Sequence, residues 1–276
     1  MPLIAMTREM GSLGKDVAAG IAERLGKPVV HHEIIDSLAN KMRLRKSHVI
    51  RFLEGKASIL ERLTTNKTSL HIFTADETFD LAEKGDVSVI RGWGAAHLLR
   101  CVPHVICVRV CAPFDLRVKR MMARLETDDR AFVENEIRLS EESHAAITKR
   151  HFGLNWQEAE RYDVVVNTER LSVDECVDEV MELYGDAHFQ ETPASRALFG
   201  DLALRAHVRA ALRVHPDTSK MDIVVEVREQ VATLAGIVPP DLDPNRATDV
   251  AGTVQGIKAV HNQIKIAAPS RLKLGI

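Results

Sequence analysis

The stretch Leu3-Ile4-Ala5-Met6-Thr7-Arg8-Glu9-Met10-Gly11-Ser12-Leu13-Gly14-Lys15-Asp16-Val17-Ala18 decides the fold class. Its first five residues are a short apolar run bounded by charge, which suits a strand buried on both faces of a parallel sheet. Gly11 and Gly14 interrupt the run, and from Lys15 to Leu25 apolar residues recur at helical spacing. Strand, glycine-bearing turn and helix make the first half of a βαβ unit. The same grammar repeats outward. Strands are expected at Pro28–His31, Val87–Arg91, His104–Val110 and Asp163–Asn167, with helices at Glu33–Asn40, Ser47–Glu83, Phe114–Arg124, Ala131–His151 and Val173–Leu183. Strands alternating with helices predict an α/β unit with a five-stranded parallel sheet and flanking helices.

Beyond residue 184 the pattern changes. Gly185 to Ser195, with Pro193 and mixed small and polar residues, reads as a linker. A helix at Leu198–Arg213 is followed by strands at Ile223–Val227 and Val231–Ile237, separated like a hairpin by Arg228, Glu229 and Gln230. Pro239, Pro240 and Pro244 then lead to a helix at Asn245–Val254 and a strand at Ile257–Ile266. This αββαβ order is α+β. The expected division is 1–184, a linker 185–197, a small domain 198–267 and a tail 268–276.

Composition narrows the function classes. With 276 residues, Lys+Arg 37 against Asp+Glu 39 and 45% hydrophobic content, the chain is a globular protein rather than a disordered one. A formal charge of −2 argues against an obligate nucleic-acid partner. The longest apolar runs fall far short of the roughly 20 residues that span a bilayer, and no signal-peptide pattern opens the chain, so a cytoplasmic location is expected. Cys101, Cys107, Cys111 and Cys176 lack CxxC spacing and are expected to be reduced and non-metallic.

Chemistry concentrates at the first turn. Backbone N–H groups at a strand-to-helix turn cradle phosphate, and Gly14-Lys15 supplies the GK step of the GxxxxGK[ST] pattern. Glu9 stands where that pattern has its first glycine, and Asp16 where it has Ser or Thr. The plainer alternative is an ordinary βα turn, with Asp16 favoured by the helix dipole. Lys41, Arg43, Arg45, Lys46 and Arg51 form a basic run that reads as a solvated helix face or as an anion site. Arg117, Arg120 and Arg124 share one side of a helix and suit phosphate or carboxylate partners. His31 and His32 point to opposite faces of a strand and do not share a metal.

Four blocks resemble the cytidylate kinase-like family, a branch of the nucleoside monophosphate kinases, over residues 3–184. They are Ile4 to Ser12 with Gly14; Leu25-Gly26-Lys27-Pro28 running into His32-Glu33-Ile34-Ile35; Val89-Ile90-Arg91-Gly92-Trp93-Gly94-Ala95; and Tyr162 to Thr168. The resemblance implies ATP with Mg2+ on the first loop at Gly11, Ser12, Leu13, Gly14, Lys15 and Asp16. It also implies an acceptor cleft drawing on Asp36, Arg43, Arg91, Gly92 and Trp93, catalysis by Lys15, Arg117 and Arg120, and a lid between Arg124 and Arg161. Three departures stand out. Asp16 replaces the hydroxyl that ligates Mg2+, Trp93 fills the arginine place of a GRG-type turn, and Glu142-Ser143-His144-Ala145-Ala146 fills a lid segment where relatives place arginine. The chain is thus expected to be either a kinase acting on CMP or another nucleoside monophosphate, or a catalytically impaired nucleotide sensor.

Residues 198–266 are similar to the BON domain, through the leading helix, Ile223 to Val227, Val231 to Val238, and Val254 to Ile264. That resemblance implies a localisation or contact module, with a protein partner or a second copy preferred over peripheral phospholipid.

Overall fold

Strands buried on both faces carry unbroken apolar runs, and these runs build the first sheet. The computed structural model describes residues 1–30, 67–92 and 94–268, which fall into two units, Met1–Ser195 and Arg196–Ile276. In the first unit β1 (Leu3–Arg8), β2 (Val29–Val30), β3 (Val89–Arg91), β4 (Val105–Cys111) and β5 (Val164–Asn167) form a parallel sheet ordered β2-β3-β1-β4-β5. Ile4, Ala5, Met6, Ile106, Cys107 and Val108 are wholly buried within it.

Around the sheet lie α1 (Gly14–Leu25), α2 (Lys67–Glu83), α3 (Ala95–Leu99), α4 (Phe114–Leu125), α5 (Arg130–Phe152) and α6 (Val173–Gly185). Val17, Ala18 and Ile21 of α1 pack with Val177 and Val180 of α6 over Ile4, Met6 and Val108. A capping box starts α6, with Ser172 and Glu175 exchanging side-chain and backbone bonds. Strand ends agree with the sequence expectation to within two residues. The helix expected at Glu33–Asn40 and the start of the one at Ser47 lie outside the described residues, as do His31 and His32. The sequence reading omitted α3, because five residues carry too little periodicity to register.

The strand order places a functional edge. From β1 the chain runs outward to β2 and returns through β3, then crosses β1 to reach β4. Ligands of open α/β sheets bind where connections diverge in this way, beside the carboxyl ends of the strands. Here those ends carry Arg8, Arg91, Cys111 and Asn167.

The expected linker differs from the structure. Residues Ala187–Phe189 make a 3-10 turn, and α7 (Pro193–Val214) begins five residues before the predicted Leu198. Thr192 and Ser195 account for this: Ser195 N donates to Thr192 Oγ1 at 3.1 Å and Thr192 N donates to Ser195 Oγ at 2.9 Å. Reciprocal bonds of this kind cap a helix, and Pro193 occupies the first position, where proline is best tolerated.

In the second unit β6 (Ile223–Arg228) runs antiparallel to β7 (Val231–Val238), and β8 (Ala259–Ile266) lies parallel to β7. Val208 and Leu212 of α7 and Ala247, Val250 and Ala251 of α8 (Pro244–Gly252) pack on Val225, Val227, Ala232 and Leu234. The αββαβ order matches the sequence expectation. The β6–β7 turn has two non-glycine residues in the left-handed region, Glu229 at φ +51° and Gln230 at +67°. Asp201 of α7 holds both: its carboxylate accepts from Glu229 N at 2.8 Å and Gln230 N at 2.9 Å. Replacing Asp201 by alanine is therefore expected to lower the urea midpoint of this unit by an amount equivalent to about 1–3 kcal/mol, the cost of unmaking charge-assisted bonds. An unchanged midpoint would show that strand pairing alone holds the turn.

Candidate functional site

Between β1 and α1 the loop Glu9–Leu13 is built around a buried carboxylate. Glu9 Oε1 accepts from Arg109 Nη2 of β4 at 2.6 Å, and Oε2 accepts from Ala112 N at 3.2 Å. Arg117 Nε of α4 lies 3.4 Å from the same Oε2 and donates to Ala112 O at 2.8 Å. Arg117 Nη1 also donates to Met10 O at 3.3 Å and lies 2.7 Å from Glu141 Oε1 of α5. A buried charge persists only when paired and hydrogen-bonded, and Glu9 is both.

Two glycines permit the loop's path. Gly11 sits at φ +83°, where a Cβ would fall 2.8 Å from Arg117 O, and a Cβ on Gly14 would fall 2.6 Å from Arg8 Cβ. Leu13 takes φ +59° without that freedom, a strain of the kind held at binding loops. Ser12 is wholly buried, its Oγ donating to Glu9 O at 2.8 Å and its carbonyl accepting from Thr168 Oγ1 at 2.9 Å. Among the described residues, the N–H groups of Gly11, Leu13, Gly14 and Lys15 donate to no protein acceptor. Unpaired donors at a helix N-terminus suit an anion.

Arginines gather at the same edge. Arg8 crosses Gly14, and burial pushes its guanidinium down to about 10, with Arg91 and then Arg124 adding to the effect. Arg91 is lowered by burial and by Arg124 and raised by Asp16, which places Asp16 within its field. Among the described residues, Arg8 and Arg124 make no ion pair. Three like charges held within one another's field suit an anion.

The other expected residues divide. Lys15 and Asp16 are exposed at the start of α1. Gly92 follows β3 at φ +92°, with its N–H donating to Met6 O at 2.8 Å. Arg117 is bound into the wall of the loop, and Arg120 donates to Thr168 Oγ1 at 2.8 Å and Thr168 O at 2.7 Å. Of the three arginines spaced along α4, Arg124 joins Arg8 and Arg91. Asp36, Arg43 and Trp93 lie outside the described residues. Sequence reasoning gave no role to Arg8, although a cation closing a buried strand just before a glycine turn is a usable signal.

Beside the arginines the side chains turn aromatic. His144 of α5 stacks on Trp156, with centroids 4.2 Å apart, and Arg109 lies over the same indole at 5.3 Å. His97 of α3 contacts Phe152 and Tyr162, and Phe152 packs directly against Gly94. Tyr162 donates from its hydroxyl to Trp156 O at 2.7 Å. Burial first, then Arg161 and Arg100, pushes His97 down to about 4; burial, then His97, Arg8 and Arg109, pushes His144 down to about 3. Both rings are neutral near neutral pH.

These imidazoles bind protons less readily folded than unfolded. The stability they lend is complete above the ordinary value of 6.5 and is lost as pH falls toward 4 and 3. The melting temperature of the first unit is therefore expected to drop between pH 6.5 and 4. His144→Phe, which keeps a ring over Trp156 and removes a titrating site, should flatten that drop; parallel curves would show that His144 titrates normally.

Comparisons with known proteins agree with this geometry. The model of the cytidylate kinase-like family matches residues 3–170, and that of the BON domain matches residues 200–268. A cytidylate kinase from Methanothermobacter thermautotrophicus is 30% identical over 159 residues, covering 57% of this chain and 89% of the relative. In structure, an uncharacterised protein from Eubacterium ventriosum aligns with TM-score 0.52 at 20% identity, over 67% of this chain and 98% of its own. A shikimate kinase from Bacteroides thetaiotaomicron aligns at TM-score 0.41 and 14% identity, over 66% of this chain and 97% of its own. With a loop, a sheet order and a family match that coincide over the same residues, the chain belongs to the cytidylate kinase-like family and carries a BON domain on its C-terminal side.

Proposed function

We propose that the first unit binds ATP on the Glu9–Lys15 loop and transfers its γ-phosphoryl group to CMP or another nucleoside monophosphate. The observation that carries this reading is the meeting of unpaired loop N–H groups with Arg8, Arg91 and Arg124 at one edge of the sheet. Phosphoryl transfer asks a protein chiefly to position two anions and to neutralise the charge between them. Lys15 reaches toward the β and γ phosphates, the loop N–H groups hold them, and Arg91 and Arg124 face the transferred charge. Mg2+ bound with the nucleotide would offset the charge of the phosphates. Asp16 is exposed beside Lys15 and suits such an ion, which is commonly bound through one or two carboxylates plus phosphate oxygens.

A second reading, a nucleotide sensor without turnover, is favoured by one observation. Arg117 and Arg120 are both committed to protein partners, which leaves fewer cations for a transition state. Under either reading the BON domain localises the protein or contacts a partner, with a protein or a second copy preferred over phospholipid. We place the chain in the cytoplasm; among the described residues no helix is long and apolar enough to cross a membrane.

Titration calorimetry with Mg-ATP and then CMP, followed by phosphotransfer assays across nucleoside monophosphates, separates the readings. A kinase binds and turns over. In that case Lys15→Met is expected to lower kcat/KM by about a hundredfold, the scale of one lost electrostatic contact, with an unchanged melting temperature. Binding without turnover supports the sensor, and no binding overturns both.

A further inference from the structure

Four charges alternate in sign from the sheet to α5. Arg109 Nη2 on β4 is 2.6 Å from Glu9 Oε1 in the loop, Glu9 Oε2 is 3.4 Å from Arg117 Nε on α4, and Arg117 Nη1 is 2.7 Å from Glu141 Oε1 on α5. The first three side chains are nearly closed to solvent, at 11%, 8% and 6% exposure, whereas Glu141 stands at 23%. The chain sums to zero. It balances only while α5 presents Glu141, since without it Arg117 is an excess cation inside the loop's own wall.

Arg117 is placed to pass that change on. Its Nη1 serves Met10 O and Glu141 together, its Nε serves Ala112 O and Glu9, and its backbone carbonyl abuts Gly11. A guanidinium that loses one partner re-aims its rigid fork of donors. Its other hydrogen-bond and ionic partners either belong to the loop or hold Glu9, and its Cζ lies 5.5 Å from the centroid of the Phe114 ring. Met10 adds an apolar link, packing with Val118 and Met121 of α4 and Val133 and Ile137 of α5.

We infer that Glu141 is a positioning residue for the phosphate loop, acting through Arg117, so that the docking of α5 and the order of residues 9–15 are coupled. The inference rests on the nucleotide reading only for what the loop holds. Coupling of this kind is reciprocal: a ligand that orders the loop must also tighten α5.

Amide hydrogen exchange of the full chain tests it, on Glu141→Gln with Glu141→Asp as the charge-restoring variant and Glu142→Gln as the neighbouring control. Ser12 N, which donates to Glu9 O, and Ala112 N, which donates to Glu9 Oε2, report the loop. In the ligand-free protein, Glu141→Gln should speed exchange at both amides about tenfold. Glu141→Asp should restore most of the protection, and Glu142→Gln should change neither. Faster exchange confined to α5, with both reporters unmoved, would make Glu141 merely structural and overturn the inference. With Mg-ATP, the parent should gain protection in both the loop and α5, and Glu141→Gln in the loop alone; equal protection of α5 in both would also overturn it. A parent loop that ignores Mg-ATP would refute the nucleotide reading, while the ligand-free comparison still decides Glu141.

Discussion

A carboxylate buried in a glycine turn, beside backbone N–H groups that lack protein acceptors among the described residues, is the constraint on which the first unit depends. Glu9 stands where the phosphate-loop pattern has a glycine, and its charge would oppose a phosphate if it faced one. The fold resolves this by turning Glu9 inward and giving it Arg109 from the sheet, Arg117 from α4 and the N–H of Ala112. Neutralised in this way, the carboxylate becomes an anchor. It ties the carboxyl ends of β1 and β4 to α4 and fixes the path of Met10 and Gly11, and removing one partner would leave an uncompensated buried charge. The two arginines cannot be released to a ligand without that cost, and Arg117 forms part of the wall of the loop.

A second group of cations stands apart from this anchor. Arg8, Arg91 and Arg124 lie in one another's field at the strand ends, and Arg109 and Arg117 are each matched to a carboxylate. Mutual repulsion among the first three is tolerated because Asp16 lies in the field of Arg91 and the sheet holds the strand ends rigidly. An anion placed at this edge would relieve the repulsion, which is the electrostatic logic behind the proposed site. The neighbouring aromatic group shows the opposite treatment. His97 and His144 are kept neutral by burial, and a protonated ring there would add to a field of arginines.

How much of this the sequence disclosed depended on whether the cause was local. The βαβ order, the strand limits, the loop and the α+β second unit follow from period, glycine placement and charge at strand ends, all confined to short windows. The cap at Thr192 was equally local, and Thr-Pro-x-Ser could have been read as a helix start instead of a linker. Arg117 and Arg120 could not be assigned in this way. Their spacing with Arg124 is real, but which of the three meets the ligand edge depends on Glu9, Glu141 and Thr168, residues far away in sequence that converge only in the fold. The neutral state of His144 is likewise set by Trp156, His97, Arg8 and Arg109, from four different segments.

Two attachments of different character hold α5. Near its middle Glu141 makes an ionic contact with Arg117, and toward its C-terminal end His144 and Phe152 make dry, neutral contacts with Trp156, His97 and Gly94. Added salt weakens the first and leaves the second nearly untouched, whereas acid loads the second by protonating histidines that burial holds neutral. The apolar packing of Val133 and Ile137 on α4 responds to neither. The helix therefore has an N-terminal part set by apolar burial, a middle tied ionically to the wall of the loop and a C-terminal end held by neutral ring contacts.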